Sequence, residues 1–378
     1  MIDTGSIPLS LYIHWPWCVK KCPYCDFNSH VLKGESLESA YLARLLEDMA
    51  RQVPWAQSRP LHTIFVGGGT PNLMRPQTME ALLSQAEKLF GFEPNIEITM
   101  EANPGASEAK ALRDFRAAGV NRLSLGVQSF HDAHLKVLGR IHSAQEAIHT
   151  LEEASRVFDN FNLDLMFGLP HQTLDELAAE FKRAVEAGST HLSYYQLTLE
   201  EGTTFYKREP EGLPDVDLLS EMSDFVESSA AKAGFTHYEV SGYAKDPYFC
   251  RHNLNYWHYG DYLAIGAGAH GKVSNVEGVY RWSGKTAPKA YIDQPLSEPE
   301  LVPLADRPFE YMLNQLRLYT PVDLTDFVAH TGVPLETIEP TLQTLEAQKL
   351  IERQAQTLTL TDRGQHFLSD VQEAFLAD

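Results

Sequence analysis

From Leu11 to Leu199 the chain alternates short β-rich runs with longer stretches whose apolar residues recur at i, i+3 and i+4, and this alternation leaves few architectures open. The β-rich runs are 11–14, 63–66, 97–100, 122–126, 162–166 and 191–199; the helical stretches between them are 41–49, 79–89, 111–118, 147–157 and 174–185. Six strands separated by helices predict repeated βα units and a parallel sheet. With right-handed crossovers such units coil into a barrel or partial barrel.

The character changes after this region. Residues 238–282 are rich in Tyr, Gly and His and poor in helical periodicity, and 286–306 carry several prolines and suit a linker. From Arg307 the pattern is helical again, then 350–360 fit a two-stranded wing before a last helix, as in a winged helix-turn-helix. The expected organisation is a barrel over 1–285, including the 238–282 segment, then the linker and a winged-helix-like domain over 307–378. Between Asp306 and Asp378 there are 12 acidic and 5 basic residues, a balance of −7, within a chain of net charge −20. A recognition helix needs cationic side chains for phosphate contacts, so nucleic acid is not an expected partner.

Four cysteines in 378 residues cannot form a disulfide scaffold, and three of them fall within eight positions. This predicts a reducing compartment and a metal or redox site. The first residues, Met1 to Ser6, lack a basic region leading into an apolar stretch, and no apolar run is long enough to span a bilayer. The expected location is cytoplasmic.

The triplet, Cys18-Val19-Lys20-Lys21-Cys22-Pro23-Tyr24-Cys25, directly follows the first strand. Thiolates select zinc, Cu(I) or iron–sulfur clusters. A structural zinc wants four ligands, whereas three cysteines suit a [4Fe–4S] cube with one iron left open; zinc and buried free thiols are the alternatives. C-x3-C-x2-C after a first strand, with Tyr24 before the last Cys, resembles the radical S-adenosylmethionine (SAM) superfamily. That resemblance implies a [4Fe–4S] cluster and SAM bound at its open iron, and reductive cleavage of SAM to a 5′-deoxyadenosyl radical.

Other strand ends strengthen it: Gly67-Gly68-Gly69-Thr70-Pro71, Glu101-Ala102-Asn103-Pro104-Gly105, Gln128, Arg140 and Asp164. From the residues alone, Arg140 and Asp164 fit either an ion pair or a ligand-holding pair. Together the segments resemble the branch containing oxygen-independent coproporphyrinogen III dehydrogenase and the HemW-type haem chaperones. The resemblance implies Cys18, Cys22 and Cys25 as cluster ligands. It also implies Tyr12, Gly68, Gly69, Thr70, Glu101, Gln128, Arg140 and Asp164 as SAM contacts, with Tyr24 beside the adenine.

Two features point away from the dehydrogenase. Phe27 stands where that enzyme has a fourth Cys, and few residues precede Tyr12, so no decarboxylation of coproporphyrinogen III is expected. His252-Asn253-Leu254-Asn255-Tyr256-Trp257 matches the H-N-x-x-Y-W that the chaperones associate with haem. Imidazole is a common haem ligand and the aromatics offer flat walls, with Cys250 as a further candidate thiolate; the alternative is that His252 and Asn253 tie down a buried loop. The implied function is haem binding and delivery to haem-accepting proteins, membrane respiratory enzymes among them, with an electron donor serving the cluster.

Overall fold

The structure is a computed structural model that describes the chain apart from Met1, Asp3, Ser6, Glu35, Ser36, Pro295, Asp378 and the side chains of 106–109. Part of the N-terminal segment read for a targeting signal therefore lies outside the described residues. The six expected strands are present as β1 (Leu9–Trp15), β2 (Leu61–Gly68), β3 (Phe92–Ala102), β4 (Arg122–Gln128), β5 (Phe161–Phe167) and β6 (His191–Gln196), all mutually parallel. The helices connecting them are α1 (Glu38–Arg51), α2 (Pro76–Phe90), α3 (Ala106–Ala118), α4 (Asp132–Val137), α5 (Ala144–Val157) and α6 (Leu174–Glu186).

Burial explains the strand sequences. β1, Leu-Ser-Leu-Tyr-Ile-His-Trp, is almost wholly buried because a parallel sheet is covered on both faces. The helices bury one stripe each: Tyr41, Leu45 and Met49 of α1, Met79, Leu82 and Leu83 of α2, Leu177, Phe181 and Ala184 of α6. Ser143 with Glu146 and Thr173 with Glu176 form capping boxes that satisfy the first N–H groups of α5 and α6.

The sheet extends beyond six strands. After α7 (Val216–Lys232), β7 (Thr236–Glu239) and β8 (Gly242–Ala244) add antiparallel strands beside β6. Next comes α8 (Arg251–Trp257), a helix in a segment expected to have little helical character. Its apolar periodicity is hidden because its buried positions include a histidine and an asparagine, His252 and Asn255. β9 (Asp261–Ile265) then pairs in parallel with β1, from Leu9↔Asp261 to Ile13↔Ile265. β10 (His270–Ser274), β11 (Val279–Ser283) and β12 (Glu300–Leu301) complete that side antiparallel. The order is β12-β11-β10-β9-β1-β2-β3-β4-β5-β6-β8-β7. The stretch read as a linker thus holds the helix Pro288–Asp293 and the edge strand β12.

The C-terminal part has the winged-helix pattern: α9 (Arg307–Gln315), α10 (Leu324–Thr331), α11 (Glu339–Ala347), and a sheet of β13 (Val322–Asp323), β15 (Thr357–Leu360) and β14 (Ile351–Gln354). A second core that includes Tyr259, Tyr311, Phe327 and Leu342 joins it to the β9 side of the sheet. Glu310 of α9 accepts hydrogen bonds from Arg281 and from the Tyr259 hydroxyl, at 2.7 Å each.

The start of β9 is fixed by a buried charge network. Asp261 accepts from Lys272 Nζ (3.0 Å), Arg59 (2.8 Å), and the Ser274 N–H (2.9 Å) and hydroxyl (3.0 Å), and neither Asp261 nor Lys272 is reached by solvent. Removing one member of such a pair strands the other charge. Asp261→Ala is therefore expected to lower the unfolding free energy by about 3–5 kcal/mol, measured by chemical denaturation.

Candidate cofactor site

The cysteine loop leaves β1 and is pinned at both ends. Trp15 and Trp17 pack edge-on against each other and Tyr41, with ring centroids 4.8–5.8 Å apart. The Tyr41 hydroxyl donates to the His14 carbonyl (2.8 Å) and accepts from the Ala267 N–H (2.7 Å). Trp17 and Cys18 pair in parallel with His30 and Val31, and Asn28 donates to the carbonyls of Ala267 and Thr286. Between these anchors Cys18 is buried and Cys22 and Cys25 are half-buried.

Burial pushes the Cys18 and Cys25 thiols up, so both are neutral until a cation arrives. A bound metal centre reverses this by displacing the protons. Three thiolates that line one cavity fit a cluster with one open iron better than a structural zinc, which wants four ligands.

Opposite the loop stand the ends of β2 to β5. Gly68 has φ +115°, and a Cβ there would lie 2.5 Å from the His14 ring; one on Gly69 would lie 2.5 Å from the Trp17 carbonyl oxygen. The Gly69 and Thr70 N–H groups donate to the carbonyls of Trp15 (2.6 Å) and Trp17 (2.7 Å). Glycine is needed at 69 because two backbones meet, which brings β2 against the cysteine loop, and at 68 because the His14 ring and the left-handed φ leave no place for a side chain. Glu101 accepts from the Gly68 N–H at 3.0 Å. Burial, reinforced by the Asp164 charge, raises its pKa to about 8, so its carboxyl is protonated at neutral pH. Gln128 ends β4 with φ +68°.

Arg140 and Asp164 do not pair. Arg140 donates to Asn103 Oδ1 (2.5 Å) and the Gly126 carbonyl (2.7 Å), and lies 3.8 Å from Cys22 Sγ. Asp164 accepts from Asn162 Nδ2 (2.8 Å) and the Ser124 hydroxyl (3.2 Å), and burial raises its pKa. Each group has its own partners, so of the two alternatives the ion pair gives way to two separate networks.

Cys18, Cys22, Tyr24, Cys25, Gly68, Gly69, Thr70, Glu101, Gln128, Arg140 and Asp164 all line one cavity of about 330 Å³. Asn103 also lines it, and sequence reasoning did not select it as a site residue. Its amide donates to Thr70 Oγ1 (2.8 Å) and accepts from Arg140, joining three strand ends. Its one sequence signal is its place before Pro104, at the end of a strand whose Glu101 had been selected.

Two predicted residues lie elsewhere. Tyr12 lines a neighbouring cavity of about 450 Å³ together with Tyr256, Trp257, Tyr259, Tyr262 and His270, and its hydroxyl bonds His14 Nδ1 at 2.9 Å. The two cavities share Phe27, Gly68 and Glu101. His252 lines neither and is fully buried, its Nδ1 bonded to Thr63 Oγ1 (2.7 Å) and its Nε2 to the Tyr256 hydroxyl (2.8 Å). Burial lowers its pKa to about 3. Cys250 is buried with its thiol directed at Glu97, and burial raises it to about 12.

Comparison with known proteins agrees with this geometry. Residues 12–184 match the radical SAM superfamily and 302–367 the HemN C-terminal domain. The heme chaperone HemW of Escherichia coli strain K12 is 45% identical over 374 residues, 98% of this chain and 99% of the relative. Heme chaperone HemW of Haemophilus influenzae is 44% identical over 378 residues, 98% of each chain.

The chain belongs to the HemW family.

The structure of coproporphyrinogen III oxidase (HemN) from Escherichia coli superimposes with a TM-score of 0.83 at 22% identity, covering 98% of this chain and 90% of that one, and shows the shared fold. As HemW family members are radical SAM proteins, the family implies a [4Fe–4S] cluster and SAM, and the three thiolates and polar strand ends lining the cysteine cavity are donors that fit both. Among the described residues no helix is long and apolar enough to cross a membrane.

In this HemW-family chain Asn103 holds Arg140 beside the cysteine loop. Asn103→Ala is expected to cost about 1.5 kcal/mol, the low end for a charge-assisted hydrogen bond because Arg140 is half-buried, measured by denaturant titration.

Proposed function

We propose that the chain is a haem chaperone: it holds a [4Fe–4S] cluster on Cys18, Cys22 and Cys25, SAM beside it, and haem in the adjoining aromatic cavity, and passes haem to haem-accepting proteins. The observation that carries this reading is the junction of the two cavities at Gly68 and Glu101, the second walled by Tyr256 and Trp257 of the His252–Trp257 motif. A cavity of this size with flat aromatic walls and a few polar groups suits a rigid planar ligand. The names of the full-length relatives, heme chaperone HemW, support the same reading.

When bound and reduced, the cluster supplies an electron to the sulfonium of SAM. The chain's own residues position that cofactor. Gly68, Gly69 and Thr70 would give it a close-lying backbone edge; Glu101 and Asp164 would offer carboxyls to its cationic and hydroxyl groups, Gln128 and Arg140 would flank it, and Tyr24 would face the adenine.

Glu101 gives this arrangement a pH dependence. A carboxyl with a pKa near 8 is neutral at pH 7, so binding a cationic group beside it releases a proton below pH 8 and none well above it. SAM affinity of the cluster-loaded protein is expected to rise with pH, by up to about tenfold per unit for this group, and to level off above 8. Glu101→Gln removes that contribution, and the difference in slope isolates it from the amino group of SAM itself. Equal slopes in calorimetric titrations between pH 6 and 9 would contradict the assignment.

The haem reading is tested by titrating haem into anaerobic, cluster-loaded protein. The wild type is expected to give a Soret band at about one equivalent, weakened or shifted in His252→Ala. Tyr256→Phe keeps the aromatic wall but frees Nε2 of His252, and is expected to bind haem at least as tightly as the wild type. Haem binding no stronger than to an unrelated acidic protein, or turnover of coproporphyrinogen III, would sink this function.

A further inference from the structure

Outside both cavities, His131, His134 and Glu176 each bring a ligand atom within 4.8 Å of the other two. His131 precedes α4, His134 lies within it, and Glu176 sits in the first turn of α6. His131 Nε2 is 3.8 Å from Glu176 Oε1, and His134 Nε2 is 3.6 Å from Oε2. Both separations exceed a hydrogen bond and leave space between the three groups.

His134 makes this more than a surface cluster. Its side chain is 5% exposed, and its Nε2 is buried without a hydrogen-bond partner while directed at Glu176. Buried polar nitrogens are ordinarily satisfied, so an orphan of this kind calls for an explanation. Glu176 is already oriented: its Oε2 accepts from the Thr173 N–H (2.9 Å) and hydroxyl (3.1 Å), which leaves Oε1 toward His131. His131, half-exposed, gives an entry path from solvent.

We propose that His131, His134 and Glu176 form a site for a divalent first-row transition metal of the zinc and cobalt class. Two imidazoles and one carboxylate match the preferences of these ions, and three protein ligands leave a position for water. The Thr173 N–H and hydroxyl that fix this carboxylate are the outer support that such sites ordinarily need.

The location gives the site a structural consequence. The segment that carries His131 and His134 begins after Gln128 and ends at Arg140, both on the cysteine cavity. One turn further along α6, Glu180 already ties this segment down, accepting from the Ser129 hydroxyl and the Phe130 N–H. A metal at Glu176 adds a second tie on the same helix face, so its occupancy stiffens the rim between Gln128 and Arg140.

The test uses anaerobic, cluster-loaded protein, in which the cysteine triplet is occupied, titrated with Co²⁺. The wild type is expected to bind one equivalent with visible d–d absorption, displaced by Zn²⁺, and to melt at a higher temperature with Zn²⁺ present. His131→Ala alters an exposed side chain, and Glu176→Gln retains a residue able to complete the capping box. Each is expected to weaken Co²⁺ binding at least about tenfold while iron content stays at the wild-type level. Wild-type affinity in both variants, or no Co²⁺ absorption in the wild type, would overturn the site.

Discussion

The carboxylate of Asp261, buried with Lys272 and Arg59 at the first position of β9, is the interaction on which the two-cavity arrangement rests. A charge this deep is tolerated only when every lone pair is used, and Asp261 accepts from four donors on β10 and on the loop before β2. Its partners lock β10 to β9 and tie both to the loop that carries Arg59. A slip by one residue would separate the ions and turn each side chain to the wrong face. With β9 fixed, the seven parallel strands curve from β9 to β6, and the segment just before β9 has to lie against the inner ends of β1 to β3.

That segment is α8, held by a second buried carboxylate. Glu97, in the middle of β3, accepts from the N–H groups of Arg251 (3.2 Å) and His252 (3.1 Å), at the start of the helix where N–H groups lack intrahelical partners. His252 then continues a chain of polar contacts, Ser10 to Thr63 to His252 to Tyr256, that crosses from β1 to the wall of the aromatic cavity. The motif is thus built into the barrel wall, and its aromatic end, Tyr256 and Trp257, is what faces open space. On the far side Arg281 and Tyr259 hold Glu310, and Asn314 of the same helix reaches the cavity, so the C-terminal domain completes its rim.

Much of this was legible in the sequence. The six βα strands appear as apolar runs because parallel strands are buried on both faces, and the cysteine loop announces itself by spacing. The wing was readable from two short β-rich runs after a helix. β9 and α8 were not, for a physical reason: their defining residues are Asp261, His252 and Asn255, polar groups whose burial depends on partners at Lys272, Thr63 and the Asp261 carbonyl. Hydrophobic periodicity cannot report on such positions. The role of Asn103 was hidden similarly, since a hub between Thr70 and Arg140 exists only once three strand ends converge. Tyr12 lines the aromatic cavity, next to the Gly68 and Glu101 that both hollows share, and strand position alone does not specify which hollow a side chain lines.

The burial of His252 also bears on how the proposed carrier could give up its cargo. A histidine with both nitrogens bonded offers no free lone pair, so ligation through Nε2 must displace the Tyr256 hydroxyl, at a cost of about 1 kcal/mol for the lost bond and more if that hydroxyl is left unpaired. A total of about 1–3 kcal/mol lowers affinity by roughly 5- to 150-fold relative to a preformed, open ligand. The same energy returns when haem leaves, because His252 and Tyr256 re-pair. A storage site would gain from an open histidine. A delivery protein gains from one whose empty state is internally satisfied, since its partner then needs only a modestly better ligand to draw the haem away, and the vacated site leaves no buried nitrogen unbonded.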